Sequence, residues 1–498
     1  MDTLRILVVA AECSELAAAG GVAEYVPGLA RALQDKGHDV RVLIPHYGFV
    51  PIPHGSDSRP LPVTMGSGIR YAGNSTLVEV PGQAGAKPMK VYLIDAHDRF
   101  GAIESPAGIY AKEDRERWLS FSAAVINLLM SDDWCRSADV VHCNDAHTAL
   151  VPVLLSVTRA RAPGSSLARL RSVLTIHNLL DQMLFEDGPR LVEHCVLGAD
   201  DFRGLGFEYW GKANVMKAGL LAADMVSTVS RTYAKEICMS QDYGFGLEGV
   251  LRDDVDKRGR LVGIVNGIDS ARWAMRDFDY HAADAAAMLA SCRRALRAPL
   301  FDAWGWAQDG NPVIGWRARW DSQKGIDLLV ERAAELTENA RLLVCSWGAD
   351  PGQPQLFDSW QVLNRLAAER PDRLLVNPPG ISRVEETATH YGVSDFILVN
   401  SRYEPCGLVQ MEAMRYEAIA LVSRTGGLAD TVFDGQNGFV FSPGNGDEMV
   451  AAVERALAIF ADPLQRDSLS QRVLAASERN AWSARIPEYE ALYEAALA

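Results

Sequence analysis

Residues 401–414 read SRYEPCGLVQMEAM and follow the apolar run DFILVN. Glu404 and Glu412 stand eight positions apart in that stretch. A carboxylate accepts paired hydrogen bonds, and the vicinal diols of sugars and riboses supply them. If Pro405 opens the first turn of a helix, positions so spaced lie about two turns apart at 3.6 residues per turn, so both acids can lean toward one ligand. Upstream, WRARWDSQKG gathers Arg317, Arg319 and Lys324 between a strand and a helix. A solvated basic face is the plain reading, yet a diphosphate is held at such a place, and cations there could neutralise a departing nucleotide without Mg²⁺. SRTGGLADTV adds Arg424, Thr425, Gly426 and Gly427, whose amides could meet hydroxyls or oxyanions.

The first half offers a second set. HCNDAHTAL carries His142, Asp145 and His147 after a strand. Asp145 could simply cap the following helix. Two imidazoles and a carboxylate invite a metal, but no third imidazole or cysteine sits at a supporting spacing, and no metal is expected. LTIHNL ends a buried strand with His177 and Asn178; a satisfied core histidine is the bland alternative to a group facing a sugar hydroxyl. AAAGGVAEY places Gly20 and Gly21 between strand and helix, either a tight turn or a close approach to sugar or phosphate. It is not a dinucleotide fingerprint, since GxGxxG is missing, and a nicotinamide dehydrogenase is remote.

These groups need elements to hold them. RILVVAA is continuously apolar, as in a parallel strand covered on both faces. A helix follows, with Val22, Val26, Leu29, Ala30 and Leu33 at helical spacing and Gly37 as its stop, then the strand DVRVLIP. VVHCND, SVLTIHN and MVSTVS continue the pattern, and it restarts after LVGIVNGID with NPVIGW, RLLVCSW, RLLVNPP, FILVNS and IALVSR. Two doubly wound α/β domains with parallel sheets are expected, joined near residues 262–268, with most polar motifs just past strand ends, where such sheets bind ligands. Two such sheets facing one another would make a cleft. The likeness between the halves is one of pattern; no sequence repeat joins them.

The chain's 498 residues suit two domains of roughly 200–250 residues, and its composition, 48% hydrophobic and 23% charged, is that of a soluble globular protein. A net charge of −15 argues against a nucleic-acid surface. No apolar run approaches the roughly 20 residues of a membrane span, and no signal peptide is evident. Eight scattered cysteines without CxxC pairs suggest reduced thiols in a cytoplasmic protein.

Taken in order, HCNDAHTALVPVLL, VLTIHNLLDQMLF, GKANVMKAGLLAADMVSTVSRTYAKEI, YGFGLEGVL, GIVNGIDSARW, RWDSQKGIDLL, SRYEPCGL and RTGGLADTV resemble the motifs of the glycogen and starch synthases, retaining glycosyltransferases of the GT-B fold. The resemblance runs from about residue 5 to the YEALYEAAL tail. It implies an acceptor-side domain over 1–264, a nucleotide-sugar domain over 265–475, and a helix over 476–498 packed back on the first domain. It implies that Arg319 and Lys324 grip the donor diphosphate, that Glu404 contacts the donor sugar beside Cys406, Gly407 and Leu408, and that His177 meets glucosyl hydroxyls. Asp145 would serve the acceptor side, Asn266 would lie in the hinge near the donor, and Gly20, Gly21, Thr425, Gly426 and Gly427 would approach sugar or phosphate. The implied reaction moves glucose from ADP-glucose, or sometimes UDP-glucose, to the 4-hydroxyl of an α-glucan end, with no cofactor or metal.

Three departures stand out. Ala18 occupies the position of a family lysine that helps hold donor phosphates. Glu412 gives an E-x7-E pattern like that of broader GT-B glycosyltransferases, where the second glutamate holds ribose. Ser382, in PPGISRVEETATHYG, stands near the place of an aromatic expected against adenine. A different donor (UDP- or GDP-sugar), a different saccharide acceptor, or a catalytically silent glucan- or nucleotide-binding protein are the alternatives. Oligomeric state is not legible.

Overall fold

The computed structural model describes residues 2–64, 70–82, 87–96, 99–111, 114–188, 191, 197, 201–275, 278–280, 282, 285–383 and 386–498. Cys195 and residues 384–385 of the PPGISRVEETATHYG stretch lie outside them. Two compact units form: Met1–Gly267 with Arg485–Ala498, and Ile268–Ala484. Each is a Rossmann-like α/β unit, the pairing that defines the GT-B fold.

In the first unit the described residues build a nine-stranded sheet from β1 (Arg5–Val9), β2 (Asp39–Pro45), β3 (Asp57–Pro60), β4 (Gly73–Val80), β5 (Met89–Ala96), β6 (Val140–Asn144), β7 (Arg171–Ile176), β8 (Met225–Thr228) and β9 (Leu261–Gly263). Their order is β9-β8-β7-β6-β1-β2-β5-β4-β3. From β9 to β5 the pairs are parallel, and Ile6, Leu7, Val8 and Val9 are wholly buried, as strands covered on both faces require. The apolar runs predict parallel strands throughout. Instead β4 runs antiparallel to β5 and β3 antiparallel to β4, extending one edge by hairpin-type pairing, and all four residues of the outermost β3 are exposed. Helix α1 (Gly21–Asp35) buries the expected stripe of Val22, Val26, Leu29, Ala30 and Leu33 and stops before Gly37, whose φ of +105° suits glycine.

The second unit's sheet holds β10 (Val313–Arg319), β11 (Arg341–Trp347), β12 (Leu374–Val376), β13 (Phe396–Val399), β14 (Ile419–Ser423) and β15 (Gly438–Phe441) in the order β12-β11-β10-β13-β14-β15, all parallel. The order in which successive strands are added across the sheet reverses between β10 and β13, and in the first sheet between β1 and β6. Open α/β sheets bind ligands beyond the strand ends at such switch points.

The hydrophobic core built around β10–β15 includes Leu469, Val473 and Ala476 of the helix Pro463–Glu478. Arg415 pairs with Glu478, so this helix belongs with the second unit, and the return to the first begins at Arg485. No helix among the described residues is long and apolar enough to cross a membrane.

Candidate functional site

Three segments meet past the strand ends at the switch point of the second sheet. Past β10, Ser322–Lys324 form a tight turn closed by Gly325 at φ +68°. That turn is stitched to the chain beyond β13. Arg402 N donates to Gln323 O (2.8 Å), Gln323 Nε2 donates to Tyr403 O (3.1 Å), and Asn400 Nδ2 donates to Gly325 O (2.7 Å). Trp316 Nε1 on β10 donates to Asn400 Oδ1 at 2.8 Å, completing the tie. The result brings Lys324 Nζ to 2.7 Å from Glu404 Oε2, which also accepts from Ser401 Oγ at 2.8 Å. Glu404 is buried, while the Arg319 side chain is 56% exposed, its guanidinium 3.8 Å from Asp321.

The paired glycines past β14 lock this corner. A Cβ on Gly426 (φ +44°) would stand 1.9 Å from Glu404 O, and one on Gly427 would stand 2.2 Å from Cys406 O. Gly427 N is shared between Glu404 O and Pro405 O, 3.2 Å each, so this amide holds the Glu404 backbone. Thr425 is buried as the residue preceding the short helix Gly426–Thr431.

Pro405 does not open a helix. Gly407, at φ +73°, interrupts the backbone, Leu408 precedes the helix, and the helix runs Val409–Met414. Helical periodicity therefore does not relate Glu404 to Glu412. Glu412 is buried and its Oε2 accepts from Tyr391 OH at 2.8 Å. Burial and that carboxylate push the Tyr391 hydroxyl well above its usual range, keeping it a donor. Arg317 also separates from Arg319 and Lys324: it is buried, donating to Ile381 O (2.9 Å) and Arg383 O (2.8 Å).

In the first unit, Asp145 follows β6 with φ +58°, a left-handed conformation that aspartate tolerates better than most residues. It does not cap the next helix, which begins at Leu150. Instead Asp145 N donates to Thr175 O (2.9 Å), and Oδ1 accepts from the amides of His177 (2.7 Å) and Asn178 (3.3 Å). Burial pushes its carboxyl up to about 7 against those two amides, and Asp181 and Glu12 add to the rise.

His177 stacks edge-on to Tyr25 at 4.4 Å, with Nε2 2.9 Å from Asn144 Oδ1. Asn144 Nδ2 donates to Val9 O (3.0 Å) and His142 O (3.3 Å), so its oxygen faces the imidazole. That network assigns the proton to Nε2 and leaves Nδ1 an acceptor. Burial drives His177 down to about 3, so it is neutral at pH 7. His142 is a satisfied core histidine: Nδ1 meets Tyr493 OH (2.9 Å) and Nε2 meets Thr175 Oγ1 (2.6 Å). His147 packs on Tyr110 and Trp118, 4.0 Å from Asp181.

Glu12, just past β1, was not singled out from sequence. Its Oε2 accepts from Ala19 N (2.5 Å) and Gly20 N (2.7 Å), its Oε1 from Tyr110 OH, and a Cβ on Gly20 would lie 3.1 Å from that oxygen. Burial raises its carboxyl, and the hydrogen bonds oppose the rise. Gly21 has open space where a Cβ would go, and Ala18 is exposed. Asn266 is buried, and its Oδ1 has no hydrogen-bond partner among the described residues.

Residues 5–253 match the starch synthase catalytic domain, and residues 304–471 match glycosyl transferases group 1. Glycogen synthase 2 of Geobacter sulfurreducens is 34% identical over 515 residues, covering 99% of this chain and 99% of that protein. The chain belongs to the glycogen and starch synthase family. Another relative in that family, glycogen synthase of Koribacter versatilis, is 31% identical over 99% of this chain and 98% of its own. The catalytic domain of starch synthase IV from Arabidopsis thaliana, solved bound to ADP and acarbose, superposes with a TM-score of 0.82 at 26% identity, covering all of both chains. Sucrose-phosphate synthase from Thermosynechococcus elongatus shares the fold at TM-score 0.61 and 20% identity.

Within this glycogen-synthase-like glycosyltransferase, the structure joins Lys324 to Glu404 and Asp145 to His177. Asn144 and Tyr391 escaped the sequence reading because their partners lie on other elements, whereas Ser401 bonds Glu404 three positions on in the same segment. Glu12 had one visible signal, a lone acid inside the apolar AAEC at the end of the first strand.

Proposed function

We propose that the chain transfers glucose from a nucleoside-diphosphate glucose, ADP-glucose first among them, to the non-reducing 4-hydroxyl of an α-1,4-glucan, with retention of configuration. The observation that carries this reading is the Lys324–Glu404 contact at the second sheet's switch point, on the turn that follows Arg319 at the end of β10. It supplies cations for a diphosphate and a carboxylate for sugar hydroxyls past the ends of two neighbouring strands of one sheet. The similar starch synthase IV is bound to ADP and acarbose, a nucleotide and a saccharide, which supports the same pair of ligand classes here.

In the step proposed, the bond from glucose C1 to the diphosphate oxygen breaks and its electrons stay on the diphosphate, stabilised by Arg319 and Lys324. The acceptor oxygen bonds to C1 on the face being vacated, and its proton passes to the leaving phosphate oxygen. Atoms and charge then balance without a glycosyl-enzyme. His177 Nδ1 would accept from a glucosyl hydroxyl. Asp145 would orient the acceptor, and the unpaired Asn266 Oδ1 would take a further donor-side hydroxyl. The described cysteines are all free thiols, which supports a reducing, cytoplasmic setting.

Incubation with ADP-, UDP- and GDP-[¹⁴C]glucose and glycogen tests the reading: label should enter polymer, fastest from ADP-glucose, in linkages that an α-1,4-specific amylase releases. No incorporation from any donor rejects it. The exposed Ala18, which cannot bind phosphate, favours a second reading with another donor or a small saccharide acceptor. Labelled product that amylase does not digest would select it.

A further inference from the structure

Trp347 ends β11 and is 47% exposed, a large indole that folding leaves in water. Parallel register pairs it with Arg319, so the two side chains leave the same face of the sheet at its C-terminal edge. Arg317 shares that face, two residues before Arg319. Its guanidinium lies 5.7 Å from the Trp347 ring while donating to Ile381 O and Arg383 O. The indole thus stands beside the 381–383 chain, whose residues, isoleucine, serine and arginine, carry no ring.

The backbone under this exposed ring is held firmly. Trp320 N donates to Trp347 O at 2.8 Å. Asn377, at φ +49°, accepts from Ser346 N and donates to Ser346 O, both at 2.8 Å. Gly348, at φ +84°, then turns the chain away. A fixed, solvent-facing π surface beside a cation for phosphate has the chemistry of a nucleobase platform, since every base offers a π face to stack.

We propose that Trp347 is that platform: the base of the nucleoside-diphosphate donor stacks on its indole while the diphosphate meets Arg319 and Lys324. This rests on the donor reading given above. Stacking tolerates different bases, and the wider purine face gains more from it, so ADP should bind more tightly than UDP.

Calorimetric titration of ADP, UDP and inorganic pyrophosphate into the full chain tests the assignment, with Trp347→Ala, Trp347→Leu and Trp347→Phe as variants. Loss of the ring in the Ala and Leu forms should raise the Kd for ADP about 5- to 150-fold. Pyrophosphate affinity should not move, and Phe should recover most of the loss. Unchanged ADP affinity in the Ala and Leu variants overturns the platform alone and leaves the donor reading standing. A parallel loss of ADP and pyrophosphate also overturns it, by showing that Trp347 supports the phosphate site's structure. Wild-type protein that binds no nucleotide rejects the donor reading, and the platform with it.

Discussion

Lys324 and Glu404 are separated by 80 positions in sequence and by 2.7 Å in space, and their opposite charges have different work to do. The ammonium suits phosphate oxygens, the carboxylate sugar hydroxyls. Glu404→Ala should therefore lower glucosyl transfer about 100-fold or more, with circular dichroism showing a retained fold. A silent binding protein would lose little ligand affinity in that variant. Asp145 gives a pH test with a definite sign. Its carboxyl titrates near 7 in the folded chain, above the ordinary value near 4, so between those pH values the folded state holds a proton that the unfolded state has released. The stability it contributes is present below about pH 4 and lost as pH rises through about 7. Asp145→Asn keeps an oxygen to accept from His177 N but cannot ionise. The melting temperature of the variant relative to wild type should become more favourable from pH 5 to pH 8.5. The neutral His142 and His177, both depressed to about 3 by burial, act the other way, losing stability as pH falls from about 6.5, and they are common to both proteins.

At the scale of elements, two glycine pairs look alike in sequence and differ in what they meet. A Cβ on Gly426 runs into the Glu404 carbonyl, whereas one on Gly21 meets open space. Gly426→Ala should cost about 1–3 kcal/mol from backbone strain alone, with more from the clash. Gly21→Ala should stay within about 0.5 kcal/mol. Urea titrations of both variants would read the contrast. The same pairs mark how far sequence reading reaches. Most buried parallel strands show as unbroken apolar runs, and every strand inferred that way formed, but β5 and β15 are parallel and buried too and are missing from the sequence expectation, their runs VYLI and FVF being shorter than most of the others. The antiparallel strands β3 and β4 toward one edge did not announce themselves, because an antiparallel extension needs neither unbroken apolarity nor a following helix. Motif residues just past strand ends were legible because topology puts them there. Their partners were not: Tyr391 for Glu412, Asn144 for His177 and Glu12 for the Gly20 loop come from other elements, and pairing across a fold leaves no mark in local spacing. Pro405 misled for a related reason, since only the backbone shows that Gly407 postpones the helix.

At the scale of the whole molecule, the chain leaves the first unit at Gly267 and re-enters it at Arg485, so the second unit is inserted between two parts of the first. The returning segment is not an accessory. Ile486, Tyr489, Leu492 and Tyr493 are buried, Tyr493 OH meets the core imidazole of His142, and Tyr25 packs 6.4 Å from Tyr489. His38 reaches Glu490 at 3.3 Å, and Arg231 reaches Glu488 at 2.7 Å. Side chains of this size contribute about 1.5–3 kcal/mol each on burial. Four of them together rival the roughly 5–15 kcal/mol by which a whole domain is stable. Residues 1–267 produced alone should then fail to melt cooperatively, and should recover a transition when a peptide of residues 485–498 is supplied. Residues 268–484, continuous in sequence and with their own core, should melt cooperatively unaided. Scanning calorimetry of the two pieces, with and without the peptide, distinguishes this from a tail that merely decorates the surface: in that case the first piece would melt as sharply without the peptide as with it.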